Sequence, residues 1–315
     1  MKNLLVSMPG WDIEPWRKEF ADCLPDRQIV TPEDGFLEAN VAYAATWNHP
    51  THSLRRLANL RVLFSLGAGV DHLFRDPGLP KVPIVRVNDP DLRHRMSEYV
   101  VLHVLLFHRQ QRRYDFLQQQ RRWEDDALQP AAKDVRVGVM GLGVLGSETA
   151  RKLAMLGFDV AGWARTSKDH GAIRCFFGIE SLNAFLARSD ILVVLLPLTS
   201  DTKGILNTAL FRQLARDGRL GGPMLINAGR GKLQVEADIL RCLDDGTLRA
   251  ATLDVFEDEP LSARSALWSH PLVTITPHNA AVSEPGAIAR YIAGQIVRFE
   301  RGEPLENIVD RERGY

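Results

Sequence analysis

The stretch that most limits what this chain can become runs from Val135 to Gly146. An apolar run, Val135-Arg136-Val137-Gly138-Val139-Met140, leads directly into Gly141-Leu142-Gly143-Val144-Leu145-Gly146. Residues 147–156 then carry apolar side chains at helical spacing and stop at Gly157, a helix-ending residue. A strand that enters a G-x-G-x-x-G turn and leaves as a helix is the signature of a dinucleotide-binding unit. Gly141 allows the tight bend, Gly143 lets the backbone approach a pyrophosphate, and Gly146 lets helix and strand pack closely. The amides at the helix start, those of Val144 and Leu145 among them, would face the phosphates at the positive end of the helix dipole.

A chain of 315 residues exceeds the size at which one core keeps growing, so a second domain is expected beside this unit. The formal net charge is zero, which argues against nucleic acid or an anionic membrane as partner. Cys23, Cys175 and Cys242 lie far apart, with no Cys/His spacing for a metal site or a disulfide framework. With no signal-peptide pattern and no run long enough to span a membrane, a cytoplasmic protein is expected.

Up to residue 87, short apolar runs at 4–7, 29–30, 41–44, 62–65 and 84–87 alternate with helix-like segments, which indicates a parallel α/β sheet. Leucines at 54, 57 and 60 predict a short amphipathic helix over 53–60. No glycine fingerprint follows the first strand, so this unit is not the nucleotide binder. Residues 99–107 are apolar on nearly every face and predict a helix buried on all sides, at a domain junction or in a homodimer interface. After the glycine turn, strands are expected at 159–163, 191–196, 224–227, 252–255 and 273–276. Residues 287–300 form one more amphipathic segment, which returns to the first unit. The fold expected is thus a flavodoxin-like domain of residues 1–93 plus 284–315, interrupted by a Rossmann domain of residues 94–283, both with parallel sheets.

Cofactor choice is read at the end of the strand over 159–163. An acid there would bond the adenine ribose of NAD; instead Ala164-Arg165-Thr166-Ser167-Lys168 follows. Arg165 and Lys168 can pair with a 2′-phosphate and Thr166 and Ser167 can donate to it, so NADPH is expected, with NADH the weaker alternative. Three other strand ends carry chemistry: Asn227-Ala228-Gly229-Arg230-Gly231, the acids Asp254, Glu257, Asp258 and Glu259, and Thr276-Pro277-His278. An arginine for a carboxylate, an acid and a histidine at three strand ends of one dinucleotide domain form a reductase constellation.

In that order these motifs resemble the D-isomer-specific 2-hydroxyacid dehydrogenases, and among them the glyoxylate/hydroxypyruvate reductase A group. The likeness extends to Trp47-Asn48-His49-Pro50, to Gly67-Ala68-Gly69-Val70-Asp71-His72 and to the tail from Val309 to Tyr315. The resemblance implies NADPH-dependent reduction of a small 2-oxo acid, glyoxylate or hydroxypyruvate, as two domains close over it. His278 would be the general acid, Glu259 its carboxylate partner, and Arg230 the clamp on the substrate. Amides of Ala68, Gly69 and Val70 would complete the carboxylate site, with Trp47 over the substrate. Asp254 would meet the nicotinamide amide, while Leu196, Pro197 and Ala228 would line the cofactor site. The alternatives are an NAD-linked dehydrogenase for a larger 2-hydroxy acid and a dinucleotide-sensing, corepressor-like protein.

Overall fold

The computed structural model describes residues 2–125, 129–167, 170–171 and 173–315. Lys168, read above as a phosphate partner, lies outside them. The chain divides into two units, Met1–Leu92 with Val282–Tyr315, and Arg93–Ala281.

In chain order the elements of the first segment are β1 (Asn3–Ser7), α1 (Glu14–Cys23), β2 (Ile29–Val30), β3 (Val41–Thr46), β4 (Val62–Ser65) and β5 (Ile84–Val85). There follow α2 (Pro90–His108), α3 (Gln111–Gln119), β6 (Arg136–Met140), α4 (Val144–Met155), β7 (Asp159–Ala164), β8 (Arg174–Phe177) and α5 (Leu182–Ala187). The remainder is β9 (Ile191–Val194), α6 (Thr208–Phe211), β10 (Met224–Asn227), α7 (Glu236–Asp244), β11 (Ala250–Leu253), β12 (Val273–Ile275) and α8 (Pro285–Glu300).

The first unit holds a parallel five-stranded sheet, ordered β2-β1-β3-β4-β5, the flavodoxin-like arrangement. Successive side chains of a strand point to opposite faces, and here both faces are buried. Leu4, Val6, Tyr43 and Phe64 pack with Trp16 and Phe20 of α1 and Ile288, Ile292 and Ile296 of α8. Leu5, Ala44 and Leu63 pack on the other face with Leu54, Leu57 and Leu60. Those three leucines are buried as expected, but the helix over 53–60 does not form. Ser53–Arg56 is a 3-10 turn instead. A spacing of three matches the eclipsed 3-10 period rather than the 3.6 of an α-helix. The return segment is a helix, α8. Pro285 stands in its first turn and the Glu284 carboxylate accepts the amides of Gly286 and Ala287 at 3.0 and 2.6 Å.

The second unit holds a parallel seven-stranded sheet, ordered β12-β11-β10-β9-β6-β7-β8. Counted from β6 this is the Rossmann order with one strand added, and its direction reverses between β6 and β9. Strand β8, not expected from the sequence, is an edge strand paired only with β7, and its exposed Phe177 hides the alternation of a buried strand. Helix α2 buries Met96, Val100, Val104 and Phe107 on one face. Leu102 is 53% exposed, so within the chain the helix is not buried on all sides.

Candidate functional site

Strands β6, β9, β10, β11 and β12 lie side by side and parallel, so their carboxyl ends and the loops that leave them share one edge of the sheet. Ligands of open α/β sheets bind at that edge, beside the point where strand order reverses. The glycine turn is there. Gly141 has φ +110°, a conformation L side chains rarely adopt, and a Cβ on Gly146 would stand 1.8 Å from the Gly141 carbonyl oxygen. Gly143 differs, because nothing lies within 4 Å of the position its Cβ would take. It is also the N-cap of α4 and offers no side chain to the first helical amides. An open approach to uncapped amides is what a bound pyrophosphate needs. Val144 is 47% exposed at this end. Next to it, β7 ends without an acid, and Arg165, Thr166 and Ser167 are exposed.

Beyond β9 the chain passes through Leu196 and Pro197. The Leu196 backbone fits so closely against the next loop that a Cβ on Gly229 would lie 3.0 Å from its oxygen. Ala228 is buried there, its amide bonded to the Val194 carbonyl at 3.3 Å. The loop that carries Arg230 is fixed from within. Fully buried Asn227 donates to Gln234 Oε1 at 2.8 Å and to the Arg230 carbonyl at 3.2 Å, and its Oδ1 accepts the Gly229 amide at 3.1 Å. Gln234 in turn donates to the Val255 carbonyl at 2.9 Å. A Cβ on Gly231 would sit 1.7 Å from the Phe256 carbonyl oxygen, so the arginine loop and the acidic loop after β11 are in direct contact.

Glu257, Asp258 and Glu259, of which the resemblance singles out Glu259, separate here. Glu257 exchanges hydrogen bonds with Glu236, each amide donating to the other's carboxylate at 2.8 Å. Asp258 is exposed. Glu259 is the acid that meets His278, at 2.7 Å from Oε2 to Nδ1, while its Oε1 accepts the Phe256 amide at 3.0 Å. Burial pushes the Glu259 carboxyl up, but the His278 hydrogen bond and charge, the Phe256 amide and the Arg230 charge outweigh it and hold the group below its ordinary range. A carboxylate can only accept, so Nδ1 carries the proton and Nε2 points away from Glu259. His278 is 37% exposed at its side chain.

Asp254, expected to meet the nicotinamide amide, is held by its own loop neighbours. It is 1% exposed. Its carboxylate accepts the Thr276 hydroxyl at 2.6 Å and the amides of Asn279 and Ala280 at 3.0 and 3.1 Å. The sequence motif includes Thr276 but gives it no role, and it gives none to Tyr99, whose hydroxyl lies 2.7 Å from Thr276 Oγ1.

In the other unit, Trp47 and the turn Ala68–Val70 come together after β3 and β4. A Cβ on Gly67 would press on the Trp47 ring at 2.8 Å, and the rings of Trp47 and His72 lie 4.5 Å apart. Ser65 donates its only hydroxyl proton to the Gly69 carbonyl at 2.7 Å. His72 Nε2, 3.1 Å from that hydroxyl oxygen, is therefore its donor, and Nδ1 accepts the Asn48 amide at 3.2 Å. Buried His72 and Ser65 thus brace the turn and the Trp47 loop. Both are short-range clues that need the fold to be seen.

Residues 101–280 match the family model described as D-isomer specific 2-hydroxyacid dehydrogenase, NAD binding domain. The chain belongs to the D-isomer-specific 2-hydroxyacid dehydrogenase family. Among its relatives, glyoxylate/hydroxypyruvate reductase A of Serratia proteamaculans is 39% identical over 99% of this chain and all of its own. Two solved dehydrogenases superpose over the full length of both chains. The NADPH-dependent glyoxylate/hydroxypyruvate reductase of Sinorhizobium meliloti, in complex with NADP and sulfate, is 46% identical with a TM-score of 0.95. A probable 2-hydroxyacid dehydrogenase of Rhizobium etli, in complex with NADP, HEPES and L(+)-tartaric acid, is 44% identical with a TM-score of 0.94.

Proposed function

We propose that this dehydrogenase reduces small 2-oxo acids with NADPH, glyoxylate to glycolate and hydroxypyruvate to D-glycerate. The observation that carries the reading is the Glu259–His278 hydrogen bond, in a unit whose glycine turn is open at Gly143. The names and bound NADP of the relatives support it. We assign the cofactor to Gly141, Gly143, Val144, Leu145 and Gly146, with Leu196, Pro197 and Ala228 beside them. Arg165, Thr166 and Ser167 take the 2′-phosphate. When bound, the cofactor supplies the hydride. In the second unit Arg230 is the clamp for a substrate carboxylate, and in the first the amides of Ala68, Gly69 and Val70, beside Trp47, are an anion-binding turn.

As the carbonyl oxygen gains charge, imidazolium His278 gives it the Nε2 proton and is left neutral, to be reprotonated from water. Glu259 stabilises the charged ring before transfer and fixes its orientation throughout. His278→Ala should lower kcat by roughly 10²–10⁴, the range of a positioned general acid. The measurement is loss of NADPH absorbance with glyoxylate, hydroxypyruvate and a bulky 2-oxo acid, repeated with NADH. Near-wild-type turnover by the variant, or faster turnover with NADH, defeats the assignment.

The protein works as a homodimer in the cytoplasm on this reading. Leu102 of α2, Phe116 of α3 and Trp123 are 53%, 55% and 99% exposed, an apolar series that a second copy would cover. A monomer in sedimentation at micromolar concentration contradicts this.

A further inference from the structure

His278 sits in a conformation that its residue type does not favour. Its φ is +53°, in the left-handed region, where a Cβ crowds the following carbonyl. The position is held by Asp254 and by the Thr276 carbonyl, which also accepts the His278 amide at 3.1 Å. The His278 amide donates to the Asp254 carbonyl at 2.8 Å, and the next two amides, Asn279 and Ala280, converge on the Asp254 carboxylate. Asp254 is tied to the end of β10 through its own amide, 3.0 Å from the Asn227 carbonyl. The turn that presents the general acid is therefore held at one buried aspartate, whose backbone is tied to the end of β10.

What holds Asp254 comes from further away in sequence. Its Oδ1 lies 2.6 Å from Thr276 Oγ1, and Thr276 Oγ1 lies 2.7 Å from the Tyr99 hydroxyl on α2. The carboxylate can only accept, so the threonine proton is committed to it, and the threonine oxygen is left to accept from tyrosine. The run has one direction: Tyr99 to Thr276 to Asp254. Burial raises the Tyr99 pKa, and the Asp254 charge adds to this against the Thr276 hydrogen bond, so the phenol keeps its proton. His103, whose ring lies 4.3 Å from that of Tyr99, is pushed towards its neutral form by burial despite the pull of Asp254. Hydrogen-bond donors, rather than that histidine's charge, compensate the buried carboxylate.

We propose that Tyr99 and Thr276 are positioning residues, a one-way run of hydroxyl donors that ends on Asp254 and fixes the turn presenting His278 to Glu259. The proposal rests on the reductase reading for its kinetic consequences, not for its geometry. Thr276→Val removes the donor to Asp254 and the acceptor for Tyr99 at nearly constant volume. Removing one partner of a buried hydrogen bond leaves the other unsatisfied. We expect kcat to fall about tenfold or more, with the Km for NADPH within about twofold.

The limb on which kcat/KM falls as pH rises should also begin at lower pH. A loosened Glu259 contact favours the imidazolium less, and Arg230 is the other charge that acts on Glu259. Loss of folded protein alone would lower kcat without moving this limb. Thr276→Ser, which keeps the hydroxyl, should restore both, and Tyr99→Phe should act in the same direction by about two- to fivefold.

A second readout is independent of turnover. The imidazole nitrogen NMR shifts of His278, assigned with His278→Gln, report which ring nitrogen carries the proton in the neutral form. Glu259 selects Nδ1–H in the wild type, and Thr276→Val should give a mixture with Nε2–H. A wild-type tautomer and wild-type pH limb in Thr276→Val, or failure of Thr276→Ser to rescue, overturns the proposal. If Thr276→Val does not fold, Tyr99→Phe carries the same two measurements. Should the wild type reduce no 2-oxo acid while the tautomer still moves, the reductase reading fails and the positioning role stands.

Discussion

Two histidines, one in each unit, use the same ring in opposite ways. His278 is partly exposed, bonded to a carboxylate and held at a positive φ. His72 is buried and bonded to a hydroxyl and a backbone amide. A carboxylate beside an exposed imidazole favours the charged form and leaves the far nitrogen available for proton transfer. Neutral partners on both nitrogens use the ring up as a brace. On the proposed reading the second unit carries the charge and the transferable proton, while the first holds a braced turn of backbone amides beside Trp47.

The contrast breaks most sharply at Glu259. Glu259→Gln keeps the size of the side chain and removes its charge, and kcat should fall about 10²-fold in the reduction assay. Glu259 is held below the ordinary carboxylate range, so it stays ionised, and its hold on the imidazolium persists, until the pH drops through that lowered value. A variant that matched the wild type at all pH would make Glu259 as structural as Ser65.

The next effect concerns the cofactor. Arg165→Ala should raise the Km for NADPH about tenfold, the value of one charge-assisted contact, and leave that for NADH within about twofold. Equal losses with both cofactors would remove Arg165 from the 2′-phosphate.

A smaller change is expected at the brace. His72→Ala leaves the Ser65 hydroxyl oxygen and the Asn48 amide without this partner, and should raise the substrate Km about three- to tenfold with kcat nearly unchanged. A fall in kcat as large as that for His278→Ala would erase the distinction between the two rings.

The smallest effect on turnover is expected at Glu300, near the end of α8. Burial pushes its carboxyl up, but hydrogen bonds from Arg27, Lys2 and Tyr43 outweigh this and bring it down to about 2. A lowered pKa contributes stability that is fully present above the unfolded carboxyl's value of about 4.3 and is lost as pH falls towards the folded one. Glu300→Gln should therefore lower the melting temperature by a few degrees at neutral pH, less so as the pH falls towards 2, with kcat unchanged. An unchanged melting temperature at pH 7 would remove that role.

Most of the architecture was legible in the chain itself because it depends on local periodicity. Apolar runs bounded by turn residues located most strands of both sheets, and the glycine spacing located the dinucleotide turn. Edge strand β8 escaped because its side chains are only partly buried, so no alternation marks it. The 53–60 segment misled because its three leucines are all buried although only Ser53–Arg56 is helical, as a 3-10 turn.

The residues by themselves determined that a strand, a G-x-G-x-x-G turn and a helix would follow one another, and that an arginine, several acids and a histidine would stand at successive strand ends. Side-chain chemistry and short-range spacing suffice for that. Side-chain chemistry left Glu257, Asp258 and Glu259 open, and the family resemblance named Glu259. The tertiary structure brings Glu259 to His278 and adds what no motif indicates, that Tyr99, 177 residues from Thr276, completes the support of Asp254. Those choices depend on where helix and strand ends stop in space. Hydrogen bonds formed over 2.6–3.0 Å between distant segments leave no periodic trace in the sequence that makes them.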